Sequence, residues 1–173
     1  MPHLNNQLHI TGQQLPAAIA EGGFTMVEVM VALVIFTIGM LGLAQLQGSA
    51  LQNNHVAYQH TIATRLAYDM TERMRANPAG TLGGAYNSIS SDAIPDHVDC
   101  YSGEGCSATS LATMDAHEWL TAVGNELPSG RGEVSGNGRL FTVTVMWDQD
   151  RTGTTGTDCG TGDLKCVSFR VQP

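Results

Sequence analysis

Basic residues are scarce in this chain. Its 173 residues include 8 lysine and arginine side chains against 16 aspartate and glutamate, and the formal net charge is -8. The sequence has no basic block and no basic patch interleaved with aromatic residues, so we expect no nucleic-acid partner. It also lacks a Gly-x-Ser-x-Gly elbow and a phosphate-binding loop, which excludes two common classes of enzyme. We therefore predict that the protein is not an enzyme.

Cysteines are few, and their number is even: Cys100, Cys106, Cys159 and Cys166. An even count downstream of an apolar run predicts two disulfides in an oxidising compartment. Three connectivities are possible. We favour the local pairs, first with second and third with fourth, because each closes a short polar loop. The alternative is a four-cysteine zinc site, but the spacing inside each pair is wider than in most zinc knuckles.

The clearest feature that is present is an apolar run from Phe24 to Ala44, in which Glu28 is the one charged residue. As an α-helix, a run of this length measures roughly 30 Å, enough to cross the hydrocarbon core of a bilayer. We predict that residues 24–44 span a membrane. A lone carboxylate in such a segment is costly, so Glu28 is by default a functional residue with a partner.

Residues 1–44 allow three interpretations. A secretory signal has a positively charged start, a short apolar core and a small-residue cleavage site. Here the residues before Phe24 include no lysine or arginine, and the apolar run is too long. A plain membrane anchor explains the length of the run but not Glu28. The third interpretation is a precursor cut between Gly23 and Phe24, which places the new amine about one helical turn from Glu28.

Cleavage at that bond gives Glu28 two kinds of partner. Within one subunit, its carboxylate complements the positive end of the helix dipole. Between staggered subunits of a filament, it meets the terminal amine of another chain. A buried charge is tolerated when it is paired, and a stagger of neighbouring subunits that leaves the charge unpaired is unfavourable. The pair would then specify the stagger of the subunits rather than add stability.

The stretch Gly23-Phe24-Thr25-Met26-Val27-Glu28 resembles the processing motif of type IV prepilins. In that family a glycine precedes phenylalanine, and glutamate is the fifth residue of the mature chain, at the head of an apolar helix. The resemblance implies that residues 1–23 are a leader removed by the membrane-embedded prepilin peptidase. It also implies that the same enzyme methylates the Phe24 amine. Prepilin leaders usually carry lysine or arginine, and this one departs from the pattern because it carries neither.

The helical pattern continues beyond the apolar run. Apolar residues recur at every fourth position and predict a stripe on one face, with polar residues such as Gln59 on the rest: Tyr58, Ile62, Leu66, Met70 and Met74. Asn77-Pro78 is a stop signal, because the residue before proline avoids helical geometry. We therefore predict one helix over residues 24–77, whose second half buries its stripe against a C-terminal head.

We predict that residues 78–173 form that head. Its first third, to residue 110, lacks a periodic pattern and is interpreted as irregular surface structure. A helical period follows over Ser110–Glu126, and two alternating segments predict strands at Leu140–Trp147 and Cys166–Val171. A weaker strand covers Arg131–Ser135, with Gly136-Asn137-Gly138 as its turn. The predicted fold class is α+β, a long helix packed against a small antiparallel β-meander.

The C-terminal half resembles one branch of the same family, the minor pilins of the PilV type. The resemblance rests on the first cysteine pair, Trp119, Leu127-Pro128 and the alternating strand ending at Trp147. It implies a pilin-like head and a subunit that enters a type IV pilus or primes its assembly. The implied location is the inner membrane, with the head in the periplasm, and then the pilus at the cell surface. The implied partners are the prepilin peptidase, other minor pilins, the major pilin and the inner membrane, with no cofactor.

Two other functions stay open. A minor pseudopilin of a type II secretion system shares the N-terminal motif. A membrane-anchored hydrolase or metal-binding module would need a site in the head, and its candidates are incomplete. His117-Glu118 lacks the second histidine of a metalloprotease helix, and the loop starting at Asp148 has Cys159 where a calcium loop has glutamate. We interpret these segments as a solvated helix face and a polar hairpin loop, and predict no metal.

Overall fold

The computed structural model describes residues 22–103, 105–159 and 164–173. The chain divides into two units, Met1–Leu46 and Gln47–Pro173. The predicted leader, residues 1–23, lies outside the described residues except for its last two glycines. The fold is α+β with a long N-terminal helix and an antiparallel sheet, as predicted, and the sheet has four strands.

Helix α1 runs from Met26 to Ala76, so it starts two residues later and ends one residue earlier than predicted. The residues that end α1, Asn77 and Pro78, also begin the next helix. Asn77 is the N-cap of a new helix, α2 (Pro78–Leu82), and its side-chain oxygen accepts a hydrogen bond from the Gly80 N–H at 3.1 Å. Pro78 fills the first position of α2, where a missing N–H costs nothing. This helix was not predicted, because its five residues are too few to show a helical period.

The buried face of α1 differs in part from the predicted stripe. Leu66, Met70 and Met74 are buried as expected, but Tyr58 is 61% exposed and its neighbour Gln59 is buried. The reason is geometric: a spacing of four residues advances about 40° too far per step on a helix of 3.6 residues per turn. Four such steps separate Met74 from Tyr58, so the predicted stripe has moved off the buried face by the time it reaches Tyr58.

Helix α3 (Ala108–Glu126) begins two residues earlier than predicted. Ser107 is its N-cap, and the hydroxyl of this serine accepts a hydrogen bond from the Ser110 N–H at 3.0 Å. The face of α3 that carries Trp119, Leu120 and Val123 is buried. This face packs with the second half of α1 in the hydrophobic core of the Gln47–Pro173 unit.

The sheet has the order β1-β2-β3-β4, and every neighbouring pair is antiparallel. Its strands are β1 (Ser88–Ser90), β2 (Arg131–Asn137), β3 (Leu140–Asp148) and β4 (Leu164–Val171). The strands β2, β3 and β4 form the predicted meander. Strand β1 is an additional edge strand that was not predicted, because its three residues are too few to show alternation.

The predicted turn between β2 and β3 is wrong in its extent. Asn137 pairs with Leu140, so the turn contains two residues, and Gly138 has φ 68°. Gly136 belongs to β2 instead and lies opposite Phe141. A β-carbon at Gly136 would lie 2.3 Å from the Phe141 ring, so this glycine serves packing rather than the turn.

Candidate functional site

The first turn of α1 is held by Thr25. The hydroxyl of Thr25 accepts a hydrogen bond from the Glu28 N–H at 3.3 Å, and its carbonyl accepts the Val29 N–H at 3.3 Å. Thr25 thus caps the helix, and Glu28 occupies the third helical position. Thr-x-x-Glu is the pattern of a capping box, a signal that was present in the sequence and was not used. A carboxylate there also complements the positive helix end.

Gly22 and Gly23 precede this cap, outside any helix or strand. A β-carbon built on either glycine meets no atom within 4 Å, and neither has a positive φ. Alanine would therefore fit both positions without strain in the folded chain. Phe24 follows with 83% of its surface exposed. Neither packing nor backbone conformation explains why glycine stands before this phenylalanine.

The apolar part of α1 has no cover in its own unit. Every residue from 22 to 46 is exposed. The most apolar 18-residue window of this helix has a mean hydropathy of 2.4, and none of it is buried. By length and composition, the helix is sufficient to cross a membrane. A shallow groove along the helix brings Glu28 together with apolar side chains: Phe24, Val29, Ala32, Leu33 and Phe36. The carboxylate is thus the one charged group on a surface suited to lipid or to other apolar helices.

The four cysteines form two local disulfides, Cys100–Cys106 and Cys159–Cys166. The first closes the loop that precedes α3. The second joins the chain before β4 to β4 itself. No free cysteine occurs among the described residues.

A polar cluster that was not predicted lies between α1 and α3. Arg73 of α1 contacts Asp69 at 3.0 Å, Asp115 at 3.1 Å and Glu118 at 2.8 Å. The buried hydroxyl of Tyr86 donates a hydrogen bond to Asp115 at 2.5 Å. Asp115 is buried, whereas His117 and Glu118, which were predicted to lie on a solvated face, are half-buried. Asp115 lies three residues after Ala112 and four residues before Trp119, a spacing that places all three on one face of the helix.

Hydrogen bonding fixes the charges in this cluster. Burial lowers the pKa of Arg73, but its bonds to Glu118, Asp69 and Asp115 outweigh that effect and raise it overall. The bond from Arg73 lowers the pKa of Glu118 against a smaller opposing effect of burial. Burial and the bond to Asp115 raise the pKa of Tyr86. Arg73 therefore stays charged and Tyr86 stays protonated, as expected of a structural cluster.

The candidate metal segments have other partners. His117 Nδ1 lies 2.8 Å from the carbonyl oxygen of Pro95. Asp148 accepts hydrogen bonds from the backbone N–H groups of Thr152 at 3.1 Å and Gly153 at 2.7 Å. Burial raises the pKa of Asp148, but these bonds lower it overall. Among the described residues, no group of three histidine, cysteine, aspartate or glutamate side chains is placed to hold a metal ion.

A long apolar helix followed by a helix-backed antiparallel sheet defines the class of pilin-like proteins. Comparison with known families agrees. A family model described as "Prokaryotic N-terminal methylation motif" matches residues 20–44. A second, described as "Type IV pilin Tt1218", matches residues 45–117. Over these adjoining stretches the chain therefore matches the N-terminal methylation motif and a type IV pilin family.

One curated relative is similar to part of the chain. The protein described as "Type II secretion system protein I" of Escherichia coli is 41% identical over 61 residues, which is 31% of this chain and 50% of the relative. The chain thus matches about half the length of this relative. No solved structure matches the chain significantly.

Proposed function

We propose that this protein is a minor pilin of the PilV type, which enters a type IV pilus or primes its assembly. Its leader, residues 1–23, is removed by the prepilin peptidase, and the Phe24 amine is methylated. Residues 24–44 hold the subunit in the inner membrane with the head, residues 78–173, in the periplasm. The major pilin and other minor pilins contact it through α1. The protein has a structural role and no enzymatic activity.

The observation that carries this proposal is the position of Gly23. The folded chain gives no reason for a glycine there, because a β-carbon has free space and the backbone is not left-handed. A processing enzyme that must approach the bond to Phe24 supplies a reason. Glu28, on an otherwise apolar exposed helix, then needs a charged partner, and the freed amine of a neighbouring subunit is one.

The chemistry of the mature chain tests the proposal. We expect mass spectrometry of the protein purified from membranes or pili to find an N-terminus at methylated Phe24. Its intact mass should also lack four hydrogens relative to the reduced chain, one pair for each disulfide. A mature protein that begins at any other residue contradicts the proposal.

A minor pseudopilin of a type II secretion system is the second candidate, because the relative in Escherichia coli is a secretion-system protein. Deletion of the gene separates the two candidates when surface pili and secreted enzymes are scored in the same strain. We expect loss of pili with normal secretion, and recovery when the intact gene is returned. Normal pili with lost secretion would favour the pseudopilin.

A further inference from the structure

A pocket with two arginines lies where the end of α1, helix α2 and the β2–β3 turn meet. The cavity measures about 380 Å³. Its walls combine apolar and cationic side chains: Met74, Arg75, Pro78, Leu82, Arg139 and Gln172. None of its lining residues belongs to the predicted leader or to the apolar span.

The cations of the pocket are available to a partner. Arg139 makes no hydrogen bond or ion pair with any other described residue. Arg75 contacts Glu72 at 2.7 Å, but these side chains are 51% and 64% exposed. An exposed pair of this kind contributes little, so Arg75 can exchange Glu72 for another carboxylate. Leu82 adds an apolar rim that is 67% exposed.

A segment of complementary character lies before the first disulfide. Asp92 is engaged by Arg131, and Asp99 accepts a hydrogen bond from the Tyr101 N–H at 3.0 Å. Asp96, between them, is exposed and has no hydrogen-bond or ion-pair partner within the described part of the chain. Ile94, two residues earlier, is 50% exposed. This segment therefore presents a free carboxylate beside an exposed apolar side chain.

We propose that the pocket binds the segment around Asp96 of a second copy of this chain. The carboxylate of Asp96 lies against Arg139 and Arg75, and Ile94 packs on the rim at Leu82. The full chain has a formal net charge of -8, and its leader contributes only Glu21 to that total, so two mature copies still repel unless a contact matches cations with carboxylates.

The proposed contact joins two different surfaces of the same molecule. A contact of this kind is heterologous, and its repetition produces a ring or an open helical filament. The inference rests on the proposed function as a filament subunit. It adds a specific contact between heads to the contacts made by α1.

Photo-crosslinking in cells tests the contact on the full chain. A benzoylphenylalanine at position 82 should form an adduct between two differently tagged copies, with the crosslinked peptide containing residue 96. The matched control carries the same group at position 58, because Tyr58 is 61% exposed elsewhere in the same unit. We expect no adduct on that peptide from the control. Absence of the adduct from position 82, or adducts only with other proteins, overturns the proposal.

Charge reversal then tests the pairing. Arg139→Glu in the copy with the crosslinker should reduce the adduct at least tenfold, and Asp96→Arg in the other copy should restore it. Arg139 is exposed in a turn, so the fold should survive, which circular dichroism of the purified variant checks. An adduct unaffected by Arg139→Glu also overturns the contact. If the mature chain starts at Phe24 and pili form normally, failure of the crosslink contradicts this contact alone.

Discussion

The hydroxyl of Tyr86 donates a hydrogen bond to Asp115 at 2.5 Å, and both side chains are buried. The same oxygen accepts a hydrogen bond from Asn77 at 3.0 Å. Removal of the hydroxyl in Tyr86→Phe leaves one oxygen of the buried Asp115 without this donor. We expect the free energy of unfolding to fall by about 1–3 kcal/mol, measured by chemical denaturation of the full chain in detergent.

Tyr101→Phe is the control for this prediction. Its hydroxyl also donates to a carboxylate, that of Glu118 at 3.1 Å, but Tyr101 is 76% exposed. Water replaces the lost bond, so stability should change by less than about 0.5 kcal/mol. Equal effects of the two variants would contradict a structural role for the buried cluster.

Gly132 is required by the packing of Trp119. A β-carbon at this position would lie 2.6 Å from the indole ring, which is fully buried and donates a hydrogen bond to the Leu66 carbonyl at 2.8 Å. Gly132→Ala should therefore reduce the melting temperature, with a cost of about 1–3 kcal/mol for overpacking. The control is Gly103→Ala, because a β-carbon there meets nothing within 4 Å. A melting temperature equal to that of the control would show that the ring can move away.

Stability should depend on pH through Glu118. The bond from Arg73 lowers the pKa of Glu118 in the folded chain. A lowered folded-state pKa contributes stability above the unfolded value, about 4.3, and this contribution is lost as the pH falls through the folded value. Glu118→Gln should therefore be less stable than the wild type at pH 7 and should lose less stability between pH 7 and pH 3.

Glu133→Gln provides the comparison for the pH experiment, because Glu133 makes no hydrogen bond to another described side chain. We expect its unfolding curves to keep the pH dependence of the wild type. If Glu118→Gln also kept that dependence, the ion pair with Arg73 would not contribute to folding.

Gly23→Ala should block processing of the precursor. Immunoblots should then show accumulation of the longer chain, because the peptidase must accept the residue before the cleaved bond. Gly22→Ala is a matched control, since alanine fits either position in the folded chain. This control should be processed normally. Equal processing of both variants would remove the reason given for glycine at position 23.

Glu28→Ala should be cleaved but should fail to enter pili at the normal level. The variant keeps the apolar helix and loses the charge that pairs with the amine of a neighbouring subunit. Quantitative blots of sheared pili and of membranes measure the ratio. Met30→Ala, which shortens an exposed apolar side chain on the same helix, should assemble nearly as the wild type. Normal incorporation of Glu28→Ala would contradict the pairing.

The long helix and the meander were predictable because their signals are local. A run of apolar residues sets α1, Asn77-Pro78 ends it, and alternation sets β3 and β4. Short elements were not predictable in this way. Helix α2 and strand β1 have few residues of their own, and contacts with the rest of the head stabilise them.

The sequence by itself determined the motif at Gly23 and Glu28, the apolar span and the even number of cysteines, because each depends on neighbouring residues. The tertiary structure alone decided that Arg73 meets Asp115 and Glu118, and that Arg75 and Arg139 line one pocket. Those side chains are far apart in the chain. Only the packing of helices and strands brings them together, and no local pattern records that packing.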